Sequence, residues 1–296
     1  MAKPFLKWAG GKRQLISEII SRLPSNIEEI ETYIEPFIGG GAVFFHLLEE
    51  YNFKEIHISD INLDLINCYR QIQNSVNKVI EYHEILVENY PDEDIERDEY
   101  YYEIRKKWNS NLDIQGMSSD EKSQRVAETV FLNKTCFNGL FRLNSKGEFN
   151  VPTGRYKKPS FTKSEDFEKV NKALQGVNIY HSSFEGCLNW INDSCFIYFD
   201  PPYRPLTKTS SFISYSKNDF NDDNQKDLGA LVKELDKKNV SFLLSNSDPK
   251  NSNNKDDFFD VLYADFHIDR VYASRSINSD SKKRGKISEL LVRNYN

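Results

Sequence analysis

The stretch TYIEPFIGGGAVFFHLLEEY, residues 32 to 51, joins an apolar segment to a helical pattern through three consecutive glycines. Residues 32 to 37 have the β-rich character of a buried strand, and the apolar residues after the glycines recur at helical spacing. Two further segments, EIHISD (55 to 60) and CFIYFD (195 to 200), have the same strand character and end at polar residues or prolines. Strands that alternate with helices predict an α/β fold with a parallel sheet.

The strand and helix alternation stops after Asp60 and resumes at about residue 176. Helical patterns follow one another in between, over more chain than a single crossover needs. We therefore expect an inserted, mostly helical target-recognition subdomain at 62–170, within a discontinuous catalytic domain formed by 1–61 and 171–296. Later strands are expected in GVNIYHSSF, VSFLLSN and KISELLVRNY, and a helix in NDDNQKDLGALVKELDKKN, with Asn221 or Asp222 as its N-cap.

The composition, with 39% hydrophobic residues in 296, is that of a globular protein. The chain has no run of 18 uncharged apolar residues and no signal-like start, so we expect a cytoplasmic protein without a membrane partner. Its four cysteines and five histidines lack metal-site spacing, so neither a metal nor a disulfide framework is expected. The net charge of -6 argues against nonspecific coating of nucleic acid, although basic residues cluster at 155 to 163 and 282 to 286.

The glycine turn at 39 to 41 is suited to a nucleotide ligand. Glycines let a ligand approach the backbone closely, and the helix that follows offers free N–H groups. The G-x-G-x-x-G fingerprint is incomplete, because Phe44 stands at the third glycine position. Asp60 ends the next strand, where a carboxylate can accept hydrogen bonds from ribose hydroxyls. The glycines alone are a weak signal, but together with Asp60 they favour a ligand that contains adenosine.

A second glycine turn, in FLKWAGGKRQ at 5 to 14, is not a phosphate-binding P-loop. That motif would need glycine at Leu6 and a hydroxyl residue at Arg13. The turn still presents Trp8 and the cation Lys12, which could pair with a carboxylate or phosphate of a ligand. An ordinary turn at the start of a helix remains the alternative.

The most specific segment is CFIYFDPPY at 195 to 203. Proline cannot continue a central strand, so Pro201 and Pro202 predict a rigid turn after it. The Asp200 carboxylate and the Pro201 carbonyl can then accept both N–H bonds of an amine, while Tyr203 stacks on the planar group that bears the amine. A turn of purely structural purpose is the alternative.

These segments, together with SDIN, CFNGLFRLNSKGEFNVPTGRYK and RGKISELLVRNY, resemble in their order the Dam-like, D12 class DNA adenine-N6 methyltransferases. The resemblance runs from residue 5 to residue 295 and is strongest to GATC-specific enzymes of restriction-modification systems. It implies a class I, Rossmann-like fold and S-adenosylmethionine as cofactor. The catalytic residues it implies are Asp200, Pro201, Pro202 and Tyr203. Those implied for cofactor binding are Trp8, Ala9, Gly10, Lys12, Glu35, Pro36, Phe37, Gly39, Gly41, Asp60, Ile61, Phe184 and Asp200.

The chain departs from the family pattern at Ser183. The family usually has Asp-Phe-Glu in this segment, where this chain has Ser183-Phe184-Glu185. A hydroxyl thus replaces a carboxylate that would face the cofactor adenine, while Phe184 can still stack.

The loop at 137 to 157 is the expected reader of the DNA sequence. Asn138 and Arg142 are side-chain types that form paired hydrogen bonds with base edges, and the resemblance adds Phe137 and Pro152. Double-stranded DNA is the expected partner. We expect a monomer to bind it at a GATC site and to extrude the target adenine from the duplex. The residues expected to contact phosphates are Arg155, Lys157, Lys158, Lys282, Lys283 and Arg284.

Other functions stay open at this point. Related Asp-Pro-Pro-Tyr and Asn-Pro-Pro turns also serve the methylation of RNA adenines and protein glutamine amides, so the clamp by itself indicates only a planar amine. An adenine methyltransferase with a different DNA site, or a nonenzymatic module that binds nucleotides or DNA, are the further alternatives.

Overall fold

A computed structural model of the chain describes residues 1–8, 10–204, 220–274 and 286–296. A seven-stranded sheet with the order β3-β2-β1-β4-β5-β7-β6 organises the fold. The strands are β1 (Thr32–Glu35), β2 (Glu55–Asp60), β3 (Asn178–His181), β4 (Cys195–Phe199), β5 (Ser241–Ser247), β6 (His267–Ser274) and β7 (Lys286–Arg293). The mixed α/β fold class predicted from the sequence is confirmed.

Five strands, β1 to β5, pair in parallel, whereas β7 runs antiparallel to both β5 and β6. The first half of β7 therefore lies at the same sheet edge as the carboxyl ends of the parallel strands, with Glu289 opposite Ser247. The sequence did not predict β6 or the direction of β7. β1 ends at Glu35, earlier than expected, because Pro36 follows and has no N–H to donate.

The helices are α1 (Ile16–Ile20), α2 (Ala42–Glu50), α3 (Leu63–Glu88), α4 (Asp94–Ser110), α5 (Ser119–Thr135), α6 (Ser164–Leu174), α7 (Asp222–Lys237) and α8 (Phe258–Leu262). Helices α3 to α6 all lie between β2 and β3 in the chain. Asn62 caps α3 by accepting the Leu65 N–H at 3.0 Å. Asn221 caps α7 in a reciprocal arrangement with Asn224, which confirms the N-cap prediction.

Hydrophobic clusters cover both faces of the sheet, as parallel strands require. Successive residues of β1 point to opposite faces, so Tyr33 packs in one cluster and Ile34 in the other. The first cluster also contains Leu65 of α3 and Phe167 of α6. These two helices therefore pack on the sheet as crossover helices. A third cluster joins α4 and α5 to the segment 140–151, through residues that include Trp108, Phe131, Phe141 and Phe149. The division of the chain at 62 and 170 stays a prediction.

Within the described ranges, no helix combines the length and apolar character needed to cross a bilayer. The same ranges hold no group of three or more His, Cys, Asp or Glu side chains placed to bind a metal ion. Cys68, Cys136, Cys187 and Cys195 are buried free thiols.

Candidate active site

The turn after β4 is held in place by two buried polar side chains. Asp200 follows the last residue of β4, and the Pro202 carbonyl accepts a hydrogen bond from Gln225 Nε2 at 3.1 Å. Gln225 lies on α7 and in turn accepts from Asn246 Nδ2 of β5 at 3.1 Å. The neighbouring helix and strand thus fix the conformation that the prolines already restrict.

The Asp200 carboxylate is anchored through one of its two oxygens. Lys12 Nζ lies 2.7 Å from Oδ1, and Ser245 Oγ donates to the same oxygen at 3.0 Å. The Ser245 hydroxyl is also within 2.9 Å of the Tyr198 hydroxyl. Among the described residues, none donates a hydrogen bond to Oδ2 of Asp200. The anchoring of Oδ1 therefore leaves Oδ2 available to accept a hydrogen bond from a ligand.

Lys12 is the centre of a charged cluster. Its side chain is 2% exposed, and its ammonium donates to the Tyr203 hydroxyl at 3.0 Å and lies 3.5 Å from Glu289 Oε2. The Tyr203 hydroxyl donates to the same oxygen of Glu289 at 2.8 Å. The ammonium also lies 4.5 Å from the centre of the Tyr203 ring. Lys12 thus contacts two of the residues predicted for catalysis, Asp200 and Tyr203, and Glu289 contacts Tyr203.

The protonation states in this cluster follow from burial and pairing. Burial lowers the pKa of Lys12, but Asp200, Tyr203 and Glu289 outweigh it and hold that pKa well above the ordinary value. Burial raises the pKa of Asp200, against the opposing effect of the Lys12 charge. Burial also raises the pKa of Tyr203. Lys12 is therefore a cation at neutral pH, and the Tyr203 hydroxyl keeps its proton.

The glycine turn after β1 lies against the end of β2, as the sequence predicted. Gly39 N–H donates to Asp60 Oδ2 at 3.2 Å, and the Gly39 carbonyl accepts from the Tyr69 hydroxyl at 3.0 Å. Gly41 has a φ of 72°, and a Cβ added there would stand 2.7 Å from the Tyr69 oxygen. Only glycine fits this position, because both its backbone conformation and its surroundings exclude a side chain.

Asp60 accepts backbone hydrogen bonds on both oxygens, since Asn62 N–H donates to Oδ1 at 2.9 Å. Burial nevertheless raises the pKa of Asp60 to about 6, although the N–H groups of Asn62 and Gly39 oppose this shift. Ile61, the next residue, has an exposed side chain, and its carbonyl lies 3.0 Å from His181 Nε2. Each Asp60 oxygen keeps a lone pair for a ligand hydroxyl.

Glu35 lies at the end of β1, deeper than Asp60, and is fully buried. The Tyr33 hydroxyl donates to Glu35 Oε2 at 2.5 Å. Burial raises the pKa of Glu35 well above its ordinary value despite this hydrogen bond, and the charge of Asp200 adds to the rise. Glu35, the residue before Pro36 and the glycine turn, therefore binds a proton more readily than an exposed glutamate does.

An aromatic group lies beside the glycine turn. The rings of Phe37 and Phe184 stack with centres 5.5 Å apart, and Phe220 meets both rings edge-on at 5.7 and 5.9 Å. Ser183 immediately precedes the 3-10 helix Phe184–Asn189. The sequence predicted Phe37 and Phe184 for this site but not Phe220.

The N-terminal loop links this site to the predicted DNA-reading loop. A Cβ added at Gly39 would stand 3.0 Å from the Trp8 ring, and that ring stacks on Phe141 at 5.1 Å. The Asn133 amide binds both the N–H and the carbonyl of Lys7, at 2.8 and 2.9 Å, and the Gly139 carbonyl at 3.0 Å. Gly10 follows Trp8 closely, and its carbonyl accepts from Lys12 at 3.3 Å. Ala9 lies outside the described residues.

The predicted DNA-reading residues form a projecting turn after α5. Phe137 is 51% exposed, and its N–H donates to the carbonyl of the exposed Pro152 at 2.9 Å. Asn138 is exposed with a φ of 58°, and its N–H donates to the Tyr156 hydroxyl at 3.1 Å. Arg142 is half-buried and donates from Nε to Asn150 Oδ1 at 2.7 Å. The exposed side chains of Phe137 and Asn138 are thus placed by backbone hydrogen bonds to the returning segment.

The residues predicted to contact phosphates fall into two groups. Arg155 is exposed and pairs with Asp98 at 3.2 Å, while Lys157 and Lys158 are exposed on the same segment. Lys282, Lys283 and Arg284 lie outside the described residues.

Sequence reasoning missed several residues of the charged cluster, namely Glu289, Ser245 and Tyr198. A hydroxyl at Ser245 and an amide at Asn246 interrupt the apolar run of β5, which is a signal that could have pointed to the sheet edge. Glu289 lies in a segment already noted for its resemblance to the family, but its partners come from distant parts of the chain.

The whole chain is similar in sequence to known proteins of one family. Residues 8–277 match the family model described as D12 class N6 adenine-specific DNA methyltransferase. The type II methyltransferase M.MjaIII of Methanocaldococcus jannaschii is 47% identical to the chain, over 99% of this chain and 99% of that protein. The DNA adenine methylase of Haemophilus influenzae is 36% identical, over 98% of this chain and 93% of that protein, and the DNA adenine methylase of Escherichia coli is 33% identical, over 98% and 94%. The chain belongs to the D12 class of N6 adenine-specific DNA methyltransferases, enzymes that methylate adenine in DNA.

Proposed function

We propose that this enzyme transfers the methyl group of S-adenosylmethionine to the N6 amine of an adenine extruded from duplex DNA, within the sequence 5'-GATC-3'. The observation that carries the proposal is the state of Asp200, whose Oδ1 is anchored by Lys12 and Ser245. Its Oδ2 accepts one N–H of the amine, and the Pro201 carbonyl accepts the other.

The residues around the glycine turn fit S-adenosylmethionine. Asp60 offers two acceptor oxygens beside Gly39, which suits the hydroxyls of a ribose. The stacked pair Phe37 and Phe184 forms an aromatic surface beside the turn for the adenine, and the Lys12 ammonium supplies the positive charge for the methionine carboxylate. The other predicted cofactor contacts are Trp8, Gly10, Glu35, Pro36, Gly41 and Ile61, together with Ala9, which lies outside the described residues. When bound, the cofactor supplies an electrophilic methyl group on its sulfonium.

The protein prepares the amine for this methyl group by position and hydrogen bonding. Two acceptors in the plane of the amine increase the lone-pair character of its nitrogen and direct the lone pair out of that plane. Tyr203 stacks on the base and holds it in this orientation. Pro202 contributes rigidity, because its carbonyl is tied to Gln225.

Sequence reading is assigned to the turn after α5. Phe137 and Asn138 project from it, and Arg142 and Pro152 lie beside them. Arg155, Lys157 and Lys158 supply contacts to the phosphates, as do the predicted residues Lys282, Lys283 and Arg284. GATC specificity rests on the resemblance of these motifs, and protection of host DNA rests on relatives named as type II methyltransferases.

The catalytic domain is assigned to 1–61 and 171–296, and target recognition to 62–170. We retain a monomer as the working state, because a single extruded base needs a single active site. The cytoplasmic location follows from the proposed DNA substrate.

Asp200→Ala should lower the methyl-transfer rate by about 100-fold or more, because the amine loses its anchored acceptor. Transfer is measured with radiolabelled S-adenosylmethionine on unmethylated duplex DNA, RNA and protein in parallel. Protection from a methylation-sensitive nuclease then locates the modified sites. Asp193→Ala is the matched control, since Asp193 is an exposed carboxylate at the opposite end of β4. Near-normal transfer by a folded Asp200→Ala protein would refute the assignment.

The affinity for S-adenosylmethionine should weaken by about tenfold between pH 7 and pH 5. The pKa of Asp60 in the free protein is about 6, so the group gains a proton over this range and loses an acceptor for the ribose. Calorimetric titration at several pH values measures the effect. Asp60→Asn should bind more weakly at pH 7 and show a flatter pH profile. An unchanged affinity of the wild-type protein from pH 7 to pH 5 would contradict the role of Asp60.

Arg142→Ala should reduce discrimination between GATC and sites that differ by one base, at a cost of about 1–3 kcal/mol on the cognate site. Arg155→Ala should instead weaken binding to all sequences by a similar factor and reduce its salt dependence. Binding and transfer are compared on duplexes with each single substitution. If Arg142→Ala kept the full discrimination, another residue would have to read the site.

A further inference from the structure

Glu289 stands at the active-site edge of the sheet but lies beyond the part of the chain that matches the family model, which ends at residue 277. Strand pairing holds it on both sides, opposite Ser247 of β5 and Val271 of β6. The adjacent Ser288 is fixed as well, because its N–H and carbonyl both bind the Asn251 side chain, at 3.1 and 2.7 Å. The backbone that carries Glu289 is thus a rigid support.

The Glu289 carboxylate reaches back to the turn after β4. Its side chain is 14% exposed, and Oε2 accepts from the Tyr203 hydroxyl at 2.8 Å. The same oxygen lies 3.5 Å from the Lys12 ammonium, which donates to that hydroxyl at 3.0 Å. The Tyr203 hydroxyl therefore accepts from a cation and donates to an anion, and these two hydrogen bonds fix its position from both sides.

Tyr203 has few other constraints in the described structure. Tyr203 as a whole is 39% exposed and follows two prolines, so its backbone is rigid while its side chain reaches towards solvent. An exposed aromatic ring that is held only at its backbone changes rotamer readily. Stacking on a base requires a fixed ring plane, and a hydroxyl anchored at the far end of the ring supplies one.

We propose that Glu289 is a positioning residue for methyl transfer, which acts by holding the Tyr203 hydroxyl and thereby the ring that stacks on the target adenine. This inference rests on the proposed function of the site. Glu289 acts through its neighbours, because its Oε2 accepts from the Tyr203 hydroxyl and lies beside the Lys12 ammonium. Lys12 lies between the Glu289 and Asp200 carboxylates and screens their mutual repulsion.

A purely structural role for Glu289 would give a different pattern of effects. The loss of a buried ion pair would lower the stability of the protein, and its effect on catalysis would not depend on the Tyr203 hydroxyl. A positioning role requires that the two groups act as a unit, so that their separate losses are not additive.

A double-mutant cycle on single-turnover rates tests this requirement, with the enzyme in excess over a duplex that contains one GATC site. Glu289→Ala and Tyr203→Phe should each lower the rate constant by about tenfold, and the double variant should be no slower than either one. Glu289→Gln keeps an acceptor for the hydroxyl and should recover most of the rate. Asp269→Ala is the matched control. Asp269 lies on β6, next to the strand that carries Glu289, and pairs with Arg22 and Arg293 away from this site.

A fluorescence measurement tests whether the Tyr203 ring stacks on the extruded base. With 2-aminopurine in place of the target adenine, fluorescence lifetimes distinguish a stacked from an unstacked extruded base. The wild-type complex should show mainly the short lifetime of the stacked base, and Glu289→Ala should gain a long-lifetime population. Tyr203→Ala marks the fully unstacked limit.

The outcomes separate this inference from the function on which it rests. Absence of transfer by the wild-type enzyme would refute the proposed function. Two other results would refute only the role of Glu289, while the wild type transfers normally. One is that the rate losses of the two single variants multiply in the double variant. The other is that the fluorescence lifetimes are unchanged in Glu289→Ala. If Glu289→Ala does not fold, Glu289→Met fills the same space without an acceptor and carries the cycle.

Discussion

The contact between the Lys12 ammonium and the Asp200 carboxylate is the interaction on which the active site depends. It joins the N-terminal loop to the end of β4 at 2.7 Å, and Tyr203 and Glu289 complete the cluster from the other side. A buried cation of this kind is stable only with partners that repay its desolvation. Here the partners include Asp200 and Tyr203, which we propose bind the amine and stack on the base, so the electrostatic requirement of Lys12 also orders the proposed site. Because one Asp200 oxygen binds Lys12 and Ser245, the other oxygen stays available for the amine that we propose it binds.

The same N-terminal loop connects the cofactor turn to the DNA-reading turn. Trp8 lies between Gly39 and Phe141, and Asn133 of α5 ties Lys7 to Gly139. These contacts are short and involve elements far apart in the chain. They place the predicted cofactor site, the amine clamp and the predicted DNA-reading turn in one continuous packed arrangement, in which a shift of the loop would disturb all three.

The sequence predicted those parts of the site in which prolines or glycines determine the local backbone conformation. The turn at Pro201 and Pro202, the glycine turn at 39 to 41 and the proximity of Asp60 all follow from such requirements. Glu289 could not be predicted, because its place depends on the antiparallel direction of β7, which is set by long-range pairing. Ser245 and Phe220 were missed for the same reason, since each acts through a partner distant in the chain. The proposed subdomain boundaries are harder to derive, because α3 and most of α6 fall within 62–170 yet pack in the hydrophobic core of the sheet.

A crystal structure of the enzyme with a GATC duplex and a non-reactive cofactor analogue would show directly how Asp200 holds the target amine. We expect the target amine within hydrogen-bond distance of Asp200 Oδ2 and the Pro201 carbonyl. Ser245 should still donate to Oδ1, and Tyr203, still hydrogen-bonded to Glu289, should stack on the base. An amine bound by Oδ1 after Ser245 has been displaced, or a target adenine held away from Asp200, would contradict this expectation.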